Sequence, residues 1–317
     1  MNRARAGVAT AVLSVAALVV YAPAASAAPA AAPSGFRLVG AGVQVPLLAT
    51  SSAAQTYVGA DASGADLTAA DTAVINVTYH NFSPAAKASF QRAVNVWKKN
   101  VVSSVPINID ATYKPLGSGV LGSAGTNKVW QQTSTKTLFV DALANKLSRQ
   151  QLDPSPDIIA NFSSSFNNWY FGTGKAPKNT YDFQSVVTHE IGHGLGFLGG
   201  GSVTNGKGSV TYSGFAFGYT KAAVTGAGKK LVSFPDNSTA LGTALTSGKV
   251  FFSSPQVNKA KLYAPRPWQP GSSFSHLDEA TYRAGNVNSL MTPQLGDGET
   301  IRTPGPITLA IFKTIGW

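Results

Sequence analysis

The stretch Thr188-His189-Glu190-Ile191-Gly192-His193-Gly194-Leu195-Gly196-Phe197-Leu198 decides how the chain is read. It contains His-Glu-x-x-His, with His189 and His193 four residues apart. On a helix, residues four apart lie on nearly one face, one turn above the other, so two imidazoles so placed reach a single metal ion. Glu190 is rotated by about a hundred degrees from His189 and stands beside the metal rather than on it. That position suits a general base acting on water at the metal. The competing reading is a surface helix that carries two His and a Glu by chance. Asp182 is placed to cap such a helix. Phe183, Val186, Val187 and Ile191 would form its buried stripe. Gly196 would end it in a left-handed turn that only glycine adopts cheaply.

Upstream, residues 73–79 alternate and carry Val74, Ile75 and Val77, the pattern of a strand. Ser83-Pro84 reads as an N-cap followed by proline at the first helical position. The helix should run to about Val101, with Phe90, Val94, Trp97 and Val101 on one face. Residues 106–113 read as a second strand. Strand, helix and strand in this order suit a mixed sheet backed by a helix, an α+β arrangement. Residues 116–125 are rich in glycine and read as a loop. They lack the Lys-Ser/Thr ending of a phosphate loop, so no phosphate is assigned. Residues 138–147 have helical spacing, and 157–162 look like a strand. The aromatic run 161–170, with Phe166, Trp169 and Tyr170, reads equally as a cleft's edge strand that pairs with a peptide or as core packing.

Downstream, residues 199–272 are rich in Gly, Ser, Thr and Lys and read as an insertion. Within it, 210–219 and 249–252 have strand character, and 262–270, with three prolines, should be a stiff irregular loop. At the other end, Arg3 and Arg5 precede an apolar run and a small-x-small site at Ala25-Ser26-Ala27. This is the pattern of a signal peptide over residues 1–27, which predicts a secreted protein. No other apolar run approaches membrane-spanning length. Residues 28–72 would then be a propeptide or an N-terminal segment, with Asp61 or Asp66 the acids able to approach a metal if the segment is inhibitory. Residues 73–317 would be one catalytic domain. Formal charge is +11, and losing Arg3 and Arg5 with the leader takes it to +9. No dense Lys/Arg run or aromatic-interleaved basic patch occurs, so the charge reads as a solvated surface and nucleic acid is not an expected partner. There is no cysteine, so neither a disulfide nor a thiolate bound to the metal is available.

A catalytic zinc takes three protein ligands and keeps one position open. The chain has four histidines, so beyond His189 and His193 the third ligand is His80 or His276. His276 lies in Ser273-Phe274-Ser275-His276-Leu277-Asp278-Glu279. Soon after comes Asn288-Ser289-Leu290-Met291-Thr292-Pro293, which holds the only methionine other than Met1.

His189-Glu190-x-x-His193-x-x-Gly196 resembles the opening of the metzincin zinc-protease motif, and Leu290-Met291-Thr292-Pro293 resembles its Met-turn. Most metzincins place the third His three residues after that glycine, where this chain has Gly199. The leishmanolysin-like branch is similar to this chain in putting a long insertion before the third His and a short segment between that His and the Met-turn. The closing Ile315-Gly316-Trp317 also looks like secreted bacterial proteins of this kind. The resemblance covers roughly residues 74–317. It implies a metzincin-like α+β fold, a twisted mixed sheet over a zinc helix, with a last helix near 306–314. It implies one catalytic Zn²⁺ on His189, His193 and His276, Glu190 as general base, and Met291 in a supporting turn below the metal. Asp278 or Glu279 would either orient a ligand or be solvated. The implied activity is hydrolysis of protein or peptide substrates as an endopeptidase. The alternative is an inactive zinc-binding relative that serves as a binding or adhesion module.

Overall fold

The computed structural model describes residues 35–51, 54–59 and 73–317. The leader at 1–27 and the acids Asp61 and Asp66 lie outside the described residues. The described residues form several sheets and helices in an α+β arrangement.

Three N-terminal strands come first: β1 (Phe36–Ala41), β2 (Gln44–Thr50) and β3 (Thr56–Val58). β4 (Ile75–His80), α1 (Pro84–Lys98) and β5 (Ile107–Lys114) then form a parallel strand–helix–strand unit. Ser83 Oγ accepts the Ala86 amide at 3.2 Å and Pro84 follows it, so the helix begins as its sequence dictates. Such a cap contributes about 1 kcal/mol. Phe90, Val94 and Trp97 are fully buried on the helix face that meets the sheet and the helix that carries His189 and His193. Val101 is equally buried but lies beyond the helix end.

β6 (Val120–Thr126), β7 (Lys128–Gln132), β8 (Thr137–Val140), α2 (Asp141–Ser148) and β9 (Ile158–Ser163) follow. Two expectations change here. The glycine-rich 116–125 stretch, read as a loop, is largely strand β6. Gly122 and Gly125 are there for close approach, since a Cβ on Gly125 would lie 1.8 Å from the Val43 carbonyl oxygen. The segment 138–147 begins as strand β8 and becomes helical only at Asp141.

β10 (Trp169–Tyr170) and β11 (Tyr181–Asp182) pair with each other, apart from the main sheet. The run 161–170 is therefore no cleft edge. Its first residues lie in β9 at the sheet's interior, and Phe166 and Trp169 join an aromatic cluster with Tyr181 and Phe183.

Helix α3 (Phe183–Gly194), which carries His189 and His193, comes next, followed by β12 (Ser202–Thr204), β13 (Lys207–Ser209), β14 (Ala216–Phe217), α4 (Gly218–Lys221), β15 (Ala223–Thr225), α5 (Thr239–Leu245), β16 (Val250–Ser254) and β17 (Val257–Leu262). The expected strand at 210–219 shrinks to the two residues of β14, because helix α4 starts at Gly218. The chain closes with β18 (Gln294–Gly296), β19 (Glu299–Ile301) and α6 (Gly305–Ile315).

The main sheet has the order β18-β2-β6-β9-β5-β4. β4, β5 and β9 are parallel, β6 runs antiparallel to β9, and β2 runs antiparallel to β6. Helices α1 and α3 lie together against this sheet, tied where Trp97 Nε1 donates to the Thr188 carbonyl at 2.9 Å. Residues 199–272 share the same apolar core rather than forming a separate one, through Tyr219, whose ring meets those of Phe197, Phe252 and Phe274 at steep angles. No helix among the described residues is long and apolar enough to cross a membrane.

Candidate metal centre

Helix α3 starts at Asp182, whose carboxylate accepts the Ser185 amide at 3.0 Å and the Ser185 hydroxyl at 2.6 Å. Arg302, from the far end of the chain, grips the same carboxylate with Nε at 3.0 Å and Nη2 at 2.6 Å. Both residues are buried. The capping expectation therefore holds, and Arg302 is a partner that sequence spacing could not reveal. Phe183, Val186, Val187 and Ile191 are fully buried. The helix ends at Gly194, and Gly196 turns the chain away at φ 113°.

The fold brings His276 to His189 and His193. His193 Nε2 lies 2.9 Å from His189 Nε2 and 3.2 Å from His276 Nε2. Each ring is fixed from behind by a backbone carbonyl. His189 Nδ1 lies 2.6 Å from the Leu290 oxygen, His193 Nδ1 lies 2.7 Å from the Phe197 oxygen, and His276 Nδ1 lies 2.8 Å from the Ser272 oxygen. A carbonyl only accepts, so each Nδ1 carries the proton and each Nε2 presents a lone pair to the centre. Three lone pairs this close repel unless a cation sits among them. A tetrahedral ion at roughly 2.0–2.1 Å from each nitrogen needs a separation of this order. The donor set therefore fits a metal, and the cluster can hold one.

Burial favours the neutral imidazoles that metals require. It lowers the His189 pKa to about 4 against the pull of the Leu290 carbonyl. Burial also pushes His193 and His276 well below the usual value, helped by their neighbouring imidazoles. His80 is exposed and lies 3.2 Å from Asp110, outside the cluster.

Gly199, which stands where a compact motif would carry its third histidine, touches the segment that supplies it. Its amide donates to Ser275 Oγ at 3.1 Å, and a Cβ there would meet Phe274 Cδ1 at 2.4 Å. His276 is further held by its carbonyl accepting the Tyr263 amide at 2.9 Å, and its neighbour Leu277 donates to the Met291 carbonyl at 2.8 Å. Met291 is fully buried under the helix. A Cβ on Gly192 would lie 2.9 Å from its sulfur, so this glycine makes room for it. The Leu290–Met291 turn thus holds His189 by one carbonyl and the His276 segment by the next.

Glu190 is fully buried, and neither carboxylate oxygen has a hydrogen bond. Burial raises its pKa well above the ordinary value, while the Ala124 and Leu47 amides that face it pull the other way without closing a bond. Asp278 and Glu279 do not orient a ligand. Asp278 pairs with Lys261 at 3.2 Å and caps Thr281, while Glu279, half-buried, is raised to about 7 by desolvation. The groups that orient the imidazoles are main-chain carbonyls, which carry no side-chain signature in sequence.

Comparison of the chain with family models, with curated proteins and with solved structures gives no match.

Proposed function

We propose that this chain is a secreted zinc-dependent endopeptidase of metzincin type, similar to the leishmanolysin-like branch, acting on proteins or peptides. The observation that carries the reading is the pairing of three convergent Nε2 atoms with an adjacent carboxylate that has no partner of its own. A purely structural metal site needs the first feature and gains nothing from the second. His189, His193 and His276 would hold the ion. When bound, zinc lowers the pKa of a water to about 7 and polarises a carbonyl. Glu190 removes a proton from the attacking water and returns it to the leaving amine. The carbonyls of Leu290, Phe197 and Ser272 keep the three rings in one tautomer throughout. Export rests on the leader pattern of residues 1–27.

The decisive experiment is Glu190→Gln compared with the parent chain, each loaded with zinc and assayed in a form whose site is open to substrate. The expected outcome is stoichiometric zinc in both and casein or gelatin hydrolysis lost only from the variant. Equal hydrolysis by the two would sink the mechanism. Absence of hydrolysis by the parent in an open form would instead favour the zinc-binding module. The complete burial of all four side chains favours that second reading as the chain stands, and it calls for an account of what covers the site.

A further inference from the structure

The cover is the chain's own N-terminal segment. Strand β2, Gln44-Val-Pro-Leu-Leu-Ala-Thr50, carries no charge and lies along β6, antiparallel, with Val45 opposite Ala124 and Leu47 opposite Gly122. Its second edge pairs in parallel with β18, the strand that follows the Met291 turn, so that Leu48 lies opposite Gln294 and Thr50 opposite Gly296. Both edges of β2 are thus satisfied by elements that flank the metal centre.

The contacts locate it more closely. Gly122 has no side chain, and a Cβ there would sit 2.9 Å from Glu190 Oε1, so β6 passes directly over the carboxylate. Leu47, opposite Gly122, shares that face of the sheet, and its amide faces the Glu190 carboxylate. Pro46 packs on Gly271, whose successor Ser272 holds His276. β2 therefore runs through the gap between the helix that bears Glu190 and the loop that bears the third histidine. Val45 and Leu47 are both 1% exposed, and with them in place Glu190 and the three imidazoles are sealed.

An extended, uncharged peptide that adds to an edge strand and sinks alternate aliphatic side chains has the geometry of a bound peptide ligand. We propose that β2 is an intramolecular stand-in for substrate, that the described form of the chain is closed, and that the groove it fills takes extended peptides with aliphatic residues two positions apart. This rests on the peptidase reading. It explains how a site built for hydrolysis can be entirely buried, and it assigns the N-terminal segment the role of a strap that must leave. The strap is also held at its ends, by β1 on β7 and β3 on β19, so release of β2 requires those pairings to open as well.

The test uses the full zinc-loaded chain with the recognition sequence of a site-specific endopeptidase placed at residues 62–68. Three quantities are read before and after cutting and separation of the N-terminal piece: hydrogen exchange of the β6 amides, the rate at which a chelator removes zinc, and cleavage of a quenched peptide. Opening should speed β6 exchange and zinc removal on the order of tenfold or more, while β4 and β5 stay protected. A synthetic Gln44–Thr50 peptide should restore both, and the same peptide with Leu47→Asp should not. Unchanged exchange and chelation after release would overturn the proposal, as would failure of the parent peptide to restore them. Loss of protection in β4 and β5 would also overturn it, by showing that the strap is part of the core. Faster chelation with no peptide hydrolysis would uphold the strap and refute the peptidase reading. In the uncut chain, Leu47→Asp should likewise speed zinc removal.

Discussion

Arg302→Met should destabilise the chain strongly. Asp182 is fully buried and Arg302 is 4% exposed, so their ion pair is screened from solvent. Arg302 also donates to the carbonyls of Gly172 and Thr173, which tie down the segment before α3. Methionine fills much of the volume but leaves the carboxylate charge without its partner. Breaking a buried pair from one side costs about 3–5 kcal/mol, mostly through the stranded charge. For a domain of this size that is roughly 6–20 °C in Tm. Urea unfolding followed by circular dichroism, with zinc held constant, measures it. The reasoning also predicts a rescue. Asp182→Ser keeps an N-cap hydroxyl and removes the charge, so the double variant should recover about half or more of the loss. A single-variant cost below about 1 kcal/mol would refute the argument, and so would a double variant no better than the sum of its parts.

Gly194→Ala should cost about 1–3 kcal/mol despite its better helix propensity, because the new Cβ would fall 2.4 Å from Ile158 Cγ2 in β9. An unchanged urea midpoint would contradict that packing. His276→Ala should lose zinc, read by equilibrium dialysis, while His80→Ala keeps it; the reverse result would move the third ligand. Asp141 is buried, with its pKa raised to about 8 by desolvation and then by Asp157. A raised folded-state pKa means that its favourable contribution is complete below the unfolded value and is lost as pH rises through about 8. Asp141→Asn should therefore flatten the fall in urea midpoint between pH 5 and pH 9, and an identical slope in both proteins would refute the assignment.

The local features of the sequence carried through to the structure wherever one segment determines its own state. The Ser83-Pro84 start, the Asp182 cap and the buried stripe of α3 all depend on neighbours within a turn or two. What stayed hidden depends on partners far along the chain. Strand β6 reads as a loop because its glycines break β propensity, yet those glycines exist to let Val43 and Glu190 come close. The two-residue β14 reads as a longer strand because the alternation runs on into α4, where tertiary packing decides. At the metal centre, His189, His193 and His276 were visible as residue types, but the carbonyls behind them were not. Nor was Arg302, which is 120 residues from the carboxylate it holds. The run 161–170 stayed open between two readings because aromatic content alone does not tell a cleft edge from a core, and the structure gives it the core packing. β6, the strand that passes over Glu190, is flanked by β2 and β9, and only pairing shows it.

The two buried carboxylates on α3 make the case for chemistry by contrast. At the helix start, Asp182 accepts four hydrogen bonds and is paid in full for its desolvation. About two turns further on, Glu190 is equally buried and accepts none. An unpartnered buried polar group costs on the order of 1–3 kcal/mol, and more when charged. A leucine would remove that cost with little change in volume. Asp141 is only a partial parallel, since Trp130 Nε1 donates to one of its oxygens at 2.7 Å. Glu190 has both oxygens unmatched, and it follows His189, one of three imidazoles whose Nε2 lone pairs face only one another. Unsatisfied acceptors that occur singly are packing compromises. Five of them, on three convergent imidazoles and on the glutamate that follows the first of these in the chain, are what the proposed cation and water would satisfy.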